Sequence, residues 1–493
     1  MDGMTELRAA LAACIEQVAA ECLRWIEPGS DGLSRLTDPV EGEEISAHYA
    51  VSHAAAAFLL WGVETGGSAL SEQGMALLES LLARWDAIAV LPDFHNDFNL
   101  FALCLIDSRA QTALPEALRA RLREAVLRTP DSRHDTVNWL PMRWYVNLCR
   151  RRWTGSLRCV AACSLCRAKL ALATHRDGFI DDRLPKGVSF CLQYDAAAAA
   201  GLQLLRGEGE TPALEKPLGA LLHAAAPDGD INYFGRGMNQ SFAWGPWLYL
   251  LASAGQTEAC RAALAYFRPR LDAMLAGHNL LLDGRPGEKR LFWWDYHHAS
   301  IYTAHLLLWL VLAALDAGKL PIAPVTAATG ESGLGIYRSE RVFAAVFAGR
   351  SAYLSERGPM LEALWLKERG ALVKGAFGPL GGAFGRQCAD PKAVRRNFAG
   401  LMTPEGAPIF APVSVTETAG TAEVTWRLRS PAAAKLNLPI LAQAAEGLPM
   451  ELTADEEILP LQDAGSIETA CGAARLMQSA PARAKTWTLR IGM

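Results

Sequence analysis

Residues 301–347 read IYTAHLLLWLVLAALDAGKLPIAPVTAATGESGLGIYRSERVFAAVF, and the fold turns on how this stretch changes character. Its first fourteen residues, 301–314, repeat apolar positions at helical spacing, whereas 320–333 is rich in Gly, Pro, Ala and Thr and reads as a connector. Beyond it, 342–347 is a short apolar run bounded by turn residues, the pattern of a strand. The chain therefore predicts a helical part over 1–325 and a β part over 326–493.

Working upstream, blocks rich in Ala, Leu and Trp at 7–25, 47–61, 72–85, 157–174 and 190–205 repeat the helical pattern between short Gly, Pro and Asp segments. Roughly twelve such blocks can be counted, a number compatible with six helical hairpins in a ring, although periodicity alone does not close one. The run Ala196 to Ala200 is a strong helix former whose small side chains permit close packing. Downstream, 360–366, 372–377, 413–415, 422–428 and 485–491 are short β-favouring runs. The fold class expected is α+β multidomain, an N-terminal (α/α) toroid followed by a C-terminal antiparallel β-sandwich.

The 493 residues are 51% apolar and 20% charged, enough for substantial cores and unlike a disordered chain. With 48 Lys and Arg against 52 Asp and Glu, there is no polybasic field for a nucleic-acid backbone or an anionic membrane. The first 25 residues intersperse Asp2, Glu6, Arg8, Glu16, Glu21 and Arg24 among apolar positions, which reads as an amphipathic helix and not as a leader or a membrane span. Eleven irregularly spaced cysteines suggest free thiols in a reducing compartment, hence a cytoplasmic placement, or a periplasmic one if a leader has been removed. Oligomeric state is left open.

All ten histidines precede residue 306 and eleven of fourteen tryptophans precede residue 310, so the chemistry is expected in the helical part. In His95-Asn96-Asp97-Phe98-Asn99, the polar groups either cap a helix or face a polar cleft. His134-Asp135-Thr136-Val137-Asn138-Trp139 offers an amide for a carboxylate or sugar oxygen and an indole for a sugar face, or else an N-cap and a core aromatic. Tyr194, near the start of a helix, is a proton-transfer candidate if its surroundings lower its ordinary pKa of about 10.

The densest signal is the segment 228–241, where glycines bracket Arg236 and Asn239 and Gln240 follow, leading into the aromatic run of Trp244 and Trp247. Trp293-Trp294-Asp295-Tyr296-His297-His298 concentrates aromatics and imidazoles before a helix on which Tyr302 and His305 share a face with His298. Adjacent histidines diverge along a helix, and Cys159, Cys163 and Cys166 read as packed thiols, so no metal is expected. Phosphate-loop, dinucleotide, zincin and serine-hydrolase signatures are missing, and no cofactor is required.

On these residues the chain resembles the polysaccharide lyases built from an incomplete α/α toroid followed by an antiparallel β-sandwich, including the hyaluronate/chondroitin-lyase and heparinase II/III-like groups. Asn138-Trp139 is similar to their substrate-neutralising motif, Asp177-Gly178-Phe179 followed by Tyr194 to the segment leading to the catalytic tyrosine, and Gly235-Arg236-Gly237 to a later arginine loop. Leu140 replaces a second tryptophan, and Asp181 and Asp182 stand where a histidine is usual.

The resemblance implies β-elimination on an anionic, uronic-acid-containing polysaccharide or oligosaccharide. Asn138 and Arg236 would hold the carboxylate, and Tyr194 would transfer the proton with His134 or His298 as partner, His95 being a further substitute. Asn96, Trp139, Asn239, Gln240, Trp244, Trp293 and Tyr302 would line the sugar subsites. Two alternatives stand beside it. One is a glycoside hydrolase using two of Asp181, Asp182, Asp228, Asp230 and Asp295; the other is a noncatalytic saccharide-binding or polysaccharide-assembly protein.

Overall fold

The computed structural model describes residues 3–91, 94–134, 136–185, 191–235, 237–278, 281–283, 298–326, 330–348, 350–351, 354–357, 359–374, 398–418, 420–469 and 471–492. Among the described residues, twelve helices of ten residues or more, besides the short turn Trp85–Ile88, make up the N-terminal part: α1 (Gly3–Arg24), α2 (Ala50–Thr65), α3 (Ser68–Ala83), α4 (Asn96–Arg109), α5 (Glu116–Arg128), α6 (Leu140–Thr154), α7 (Leu157–Ala173), α8 (Leu192–Gly207), α9 (Glu215–Ala224), α10 (Trp244–Ser253), α11 (Thr257–Ala276) and α12 (Ala299–Asp316).

The even-numbered helices pack in sequence, α2 on α4, α4 on α6, α6 on α8, α8 on α10 and α10 on α12, and α12 returns to α2. The odd-numbered helices lie outside, α1 on α12, α3 on α2, α5 on α4, α7 on α6, α9 on α8 and α11 on α10. This is a closed (α/α) toroid of six hairpins, where the sequence resemblance implied an incomplete one. What closes it is α12, a long apolar helix: 94% of it is buried, so its membrane-span length and hydropathy are those of a core helix. At Gly245 of α10 a side chain would run into Trp309 and Leu306 of α12, so the glycine allows these two helices to touch.

The inner helices are buried on nearly every side, which is why Ala196 to Ala200 of α8 are all small and all enclosed. Outer helices bury one stripe. In α1, Leu7, Leu11, Cys14, Ile15, Val18 and Cys22 recur at helical spacing against the ring.

After α12 the chain enters a four-stranded antiparallel sheet in the order β1 (Leu334–Arg338), β2 (Val342–Phe347), β3 (Met360–Leu366) and β4 (Gly370–Lys374). Strand β2 is apolar at every position because both of its faces are covered. Phe343, Ala345 and Phe347 join the core of the helical part, while Val342 and Ala344 join the core of the β part. The second layer is a nine-stranded antiparallel sheet built around a 21-residue strand, Thr421–Leu441. That strand pairs with Ala482–Gly492 as far as Ala434, with a register shift between Arg427 and Ala432, and its C-terminal end from Asn437 pairs with Gly472–Ser479. Trp426 and Trp487 are opposite one another in this pairing and fill the core between the two sheets.

Candidate active site

All six inner helices begin at the same end of the toroid. Each supplies side chains from its first turn, or from the residues just before it, to one cavity of about 290 Å³. His48 and Tyr49 come from the start of α2, His95 and Phe98 from α4, and Thr136, Asn138 and Trp139 from the single 3-10 turn before α6. Arg183 and Tyr194 come from the approach to α8 and its first turn, Phe242 from the 3-10 turn before α10, and His298 and Tyr302 from the start of α12.

None of the six helices is capped by the side chain of its own N-cap residue. The N-cap positions are occupied by Tyr49, His95, Trp139, Cys191, Ala243 and His298 in place of the usual Ser, Thr, Asp and Asn, and the first three and the last of them line the cavity. The positive ends of six helix dipoles therefore converge on this end, an environment that favours negative charge.

Aromatic rings form the walls. His48 stacks on His95 at 4.1 Å, and His95 packs against Trp139 at 5.1 Å. Tyr49 stacks on Phe98 at 4.3 Å, and Trp139 meets the same ring edge-on at 5.2 Å. Opposite them, Phe242 receives the edges of Tyr194 at 5.7 Å and Tyr302 at 6.0 Å, so the two phenols flank one ring. His298 comes within 5.7 Å of His48, ring to ring, and its Nδ1 within 4.0 Å of Glu41. Asn138 is only 2% exposed, and its Oδ1 has no hydrogen-bond partner among the described residues. A buried amide left in that state at a cavity wall is suited to a ligand's polar group. Arg183 is placed by main-chain pairing: it bridges to Thr136, and the neighbouring Asp182 carbonyl accepts the Val137 N–H at 2.7 Å.

Beneath the cavity lie two further imidazoles. His305 stacks almost parallel on Phe242 at 4.2 Å, and His53 stacks on His305 at 5.3 Å. Burial pulls His53 down to about 3, and burial followed by the nearby His53 drives His305 well below its ordinary value. His48 is likewise pulled to about 3, by burial first and then by the like charges of His95 and His298.

His53 and His48 fold as neutral imidazoles, and the unfolded chain binds protons near pH 6.5 that these two rings do not take up until about pH 3, with His305 displaced in the same direction. Stability is then fully present above pH 6.5 and is lost as the pH falls from there toward 3. His53 alone sets a slope of up to about 1.4 kcal/mol per pH unit in that window. Urea unfolding at pH 7 and pH 5 is expected to show this loss, and H53Q to flatten it; an unchanged slope would refute the assignment.

Of the residues singled out in the sequence, Tyr194, Asn138, His298, His95, Trp139 and Tyr302 meet in the cavity. Others do not. His134 packs on the Trp139 ring at 5.0 Å without lining the cavity, and Asn96 turns back to donate to the Pro130 carbonyl. Asn239, held at φ 58°, donates to Asp283, and Gln240 accepts from Gln193, so both are engaged by other parts of the protein and neither lines the cavity. Trp244 is fully enclosed, stacked on Tyr266 and Phe267 of α11, which leaves no face for a sugar. Arg236 and Trp293 lie outside the described residues, as do Asp295 and His297.

The carboxylates considered for hydrolysis are likewise elsewhere. Asp181 faces His175 at 3.1 Å, Asp182 is buried, and Asp228 and Asp230 hold Lys374. Among the described residues no carboxylate lines the cavity, and no cluster of His, Cys, Asp or Glu could hold a metal ion.

His48, Tyr49, Phe98, Thr136, Arg183 and Phe242 were not singled out in the sequence. The missed signal was positional: Tyr, His, Phe or Trp recurs at the start of every second helix, a pattern that becomes visible once inner and outer helices are distinguished.

No family model matches the chain, and no curated protein does so. Among solved structures, an α-1,6-mannanase of Salegentibacter sp. HEL1_6 is similar over 62% of this chain and 99% of its own, at 12% identity and a TM-score of 0.44. An unsaturated glucuronyl hydrolase of Streptococcus agalactiae is similar over 63% of this chain and 91% of its own, at 12% identity and a TM-score of 0.43. A polysaccharide lyase is similar over 62% of this chain and 97% of its own, at 11% identity and a TM-score of 0.41. These three are glycan-processing enzymes of different reaction classes, and likenesses this distant carry no weight for the choice between classes.

Proposed function

We propose that the chain is a polysaccharide or oligosaccharide lyase that cleaves a uronic-acid-containing glycan by β-elimination. The observation that carries this reading is the composition of the cavity: three phenols, three imidazoles, a buried amide and a guanidinium beneath six converging helix N-termini. Elimination requires a group that neutralises the uronate carboxylate, a base that removes the C5 proton and an acid that protonates the departing glycosidic oxygen.

Asn138 and Arg183 are the carboxylate-binding pair in this reading, Arg183 taking the part that the sequence suggested for Arg236. Neutralising the carboxylate lets negative charge spread onto it as the C5 proton leaves, and preorganised donors there are typically worth 10²–10³ in rate. Tyr194 transfers the proton. As a phenolate it can accept the proton, and after transfer the phenol can protonate the leaving oxygen. His298 and His95 are its candidate partners, and Trp139 offers an indole face to a sugar ring.

The reading is tested by incubating the purified protein with a panel of uronic-acid polysaccharides and oligosaccharides, following the ultraviolet absorbance of an unsaturated uronate and identifying products by mass spectrometry. A time-dependent unsaturated product is expected. Saturated fragments that incorporate solvent oxygen would replace the assignment with a glycoside hydrolase, and binding without products would replace it with a saccharide-binding protein.

A further inference from the structure

Tyr194 and Phe242 are the two cavity residues whose neighbours in sequence, Gln193 and Gln240, are tied into a buried polar network, and that network does not end in the helical part. Gln193 Nε2 donates to Gln240 Oε1 at 3.3 Å. Asn232 Nδ2 is directed at both segments, toward Gln193 Oε1 at 3.3 Å and the Gln240 carbonyl at 3.1 Å, and also toward the Gly237 carbonyl at 3.0 Å. The Asn232 N–H in turn donates to Asp230 Oδ1 at 2.7 Å.

The opposite oxygen of Asp230 receives Lys374 Nζ at 3.0 Å, and Asp228 Oδ2 receives the same ammonium at 2.8 Å. Lys374 closes strand β4 of the β part, and its side chain is 4% exposed. Gln193, Asp230, Asn232 and Gln240 are equally enclosed, and at Gly237, with φ 74°, any side chain would collide with the Gln193 amide.

We infer that Lys374 is a positioning residue for the cavity, acting from the β part through Asp230, Asn232 and Gln193 on the placement of Tyr194 and Phe242. The physical reason is specificity of partnering. A buried amide whose Nδ2 is directed at three fixed acceptors is held in one orientation, and Asn232 has its own position set by an Asp230 carboxylate that Lys374 clamps. Without the ammonium, two carboxylates would face each other with no cation between them, and the segment 228–240 would have to move to separate them. Gln193 and Gln240 would lose their common reference, and the edge-to-face geometry of Tyr194 on Phe242 would go with it. The β part is in this view a component of the active site, although none of its described residues lines the cavity.

The inference rests on Tyr194 being the proton-transfer group, and its test is chosen to separate the two. The full chain is prepared with ring-labelled tyrosine as wild type, K374M, K374R and Q193M, and the Tyr194 resonance is assigned with Y194F. Expected are a displaced Tyr194 resonance in K374M and Q193M, kcat lower by about tenfold to a hundredfold with a much smaller change in KM, and a displaced pH profile. K374R is expected to recover most of the loss because it retains the charge.

Q193M leaves the ion pair intact, so it decides the matter if K374M does not fold. An unmoved Tyr194 resonance in Q193M and in folded K374M would overturn the inference and reduce Lys374 to an interdomain clamp. If wild type releases no unsaturated product from any glycan, the lyase reading fails, and the resonance still decides the coupling.

Discussion

Tyr194→Phe is expected to lower kcat on a responding uronate glycan by about 10²- to 10⁴-fold, the range associated with losing a positioned proton-transfer group. The substitution removes one oxygen and keeps the ring. Tyr194 lies in the first turn of α8, 8% exposed, with its edge on Phe242, so the packing that holds the helix start is retained. Glycan affinity is expected to change little, because the carboxylate is assigned to Asn138 and Arg183. Steady-state kinetics together with calorimetric binding separate the two quantities. Tyr302→Phe is the matched control: it removes the other phenol at Phe242, and an equal loss there would show that the geometry does not distinguish the two tyrosines.

Arg143→Met is expected to cost about 3–5 kcal/mol of global stability, the largest effect foreseen for any single substitution outside the cavity. Asp97 of α4 and Arg143 of α6 form an ion pair with the carboxylate side chain 1% exposed. The guanidinium donates to Asp97 Oδ2 from Nη2 at 2.8 Å and from Nε at 3.1 Å. Burial pushes the Asp97 carboxyl above its ordinary value even with Arg143 beside it, so an orphaned Asp97 would be expensive to keep charged.

The pair also reaches the site. Arg143 Nη2 donates to the His134 carbonyl at 2.8 Å, and Asp97 Oδ1 accepts the Ser132 N–H at 3.3 Å, which together fix the approach to Asn138 and Trp139. Urea unfolding of R143M is expected to show the loss, and the double variant D97N/R143M to regain part of it by removing both charges. A double variant no better than the single would show that the cost lies in packing and not in the unpaired carboxylate.

The same residues show why the motif at 95–99 could not be divided by inspection. His95 and Phe98 line the cavity, while Asp97 faces Arg143 and Asn99 donates to the His48 and His95 carbonyls. Consecutive helix positions point in different directions, so one pentapeptide holds site and scaffold together. The segment 228–241 shows the opposite case. Its density of Gly, Asp and Asn reads as a ligand loop, yet Asp228, Asp230, Asn232 and Gln240 serve partners within the protein, the first two a lysine some 140 residues away in sequence. Nothing in the local sequence announces Lys374.

What the sequence by itself determined was the class of each segment: helices with apolar residues at 3.6-residue spacing up to residue 316, short strands from residue 342, and a functional half marked by histidine and tryptophan. These are local properties, fixed by backbone periodicity and by which side chains prefer to leave water. Only the tertiary structure decided that α12 returns to α2 and closes the ring, that six helix starts share one end, and which of the polar residues meet there. Those outcomes depend on contacts between residues tens to hundreds of positions apart. His48 of α2's approach and His298 at the start of α12 become neighbours only because the ring closes, and no pattern within either segment encodes their distance.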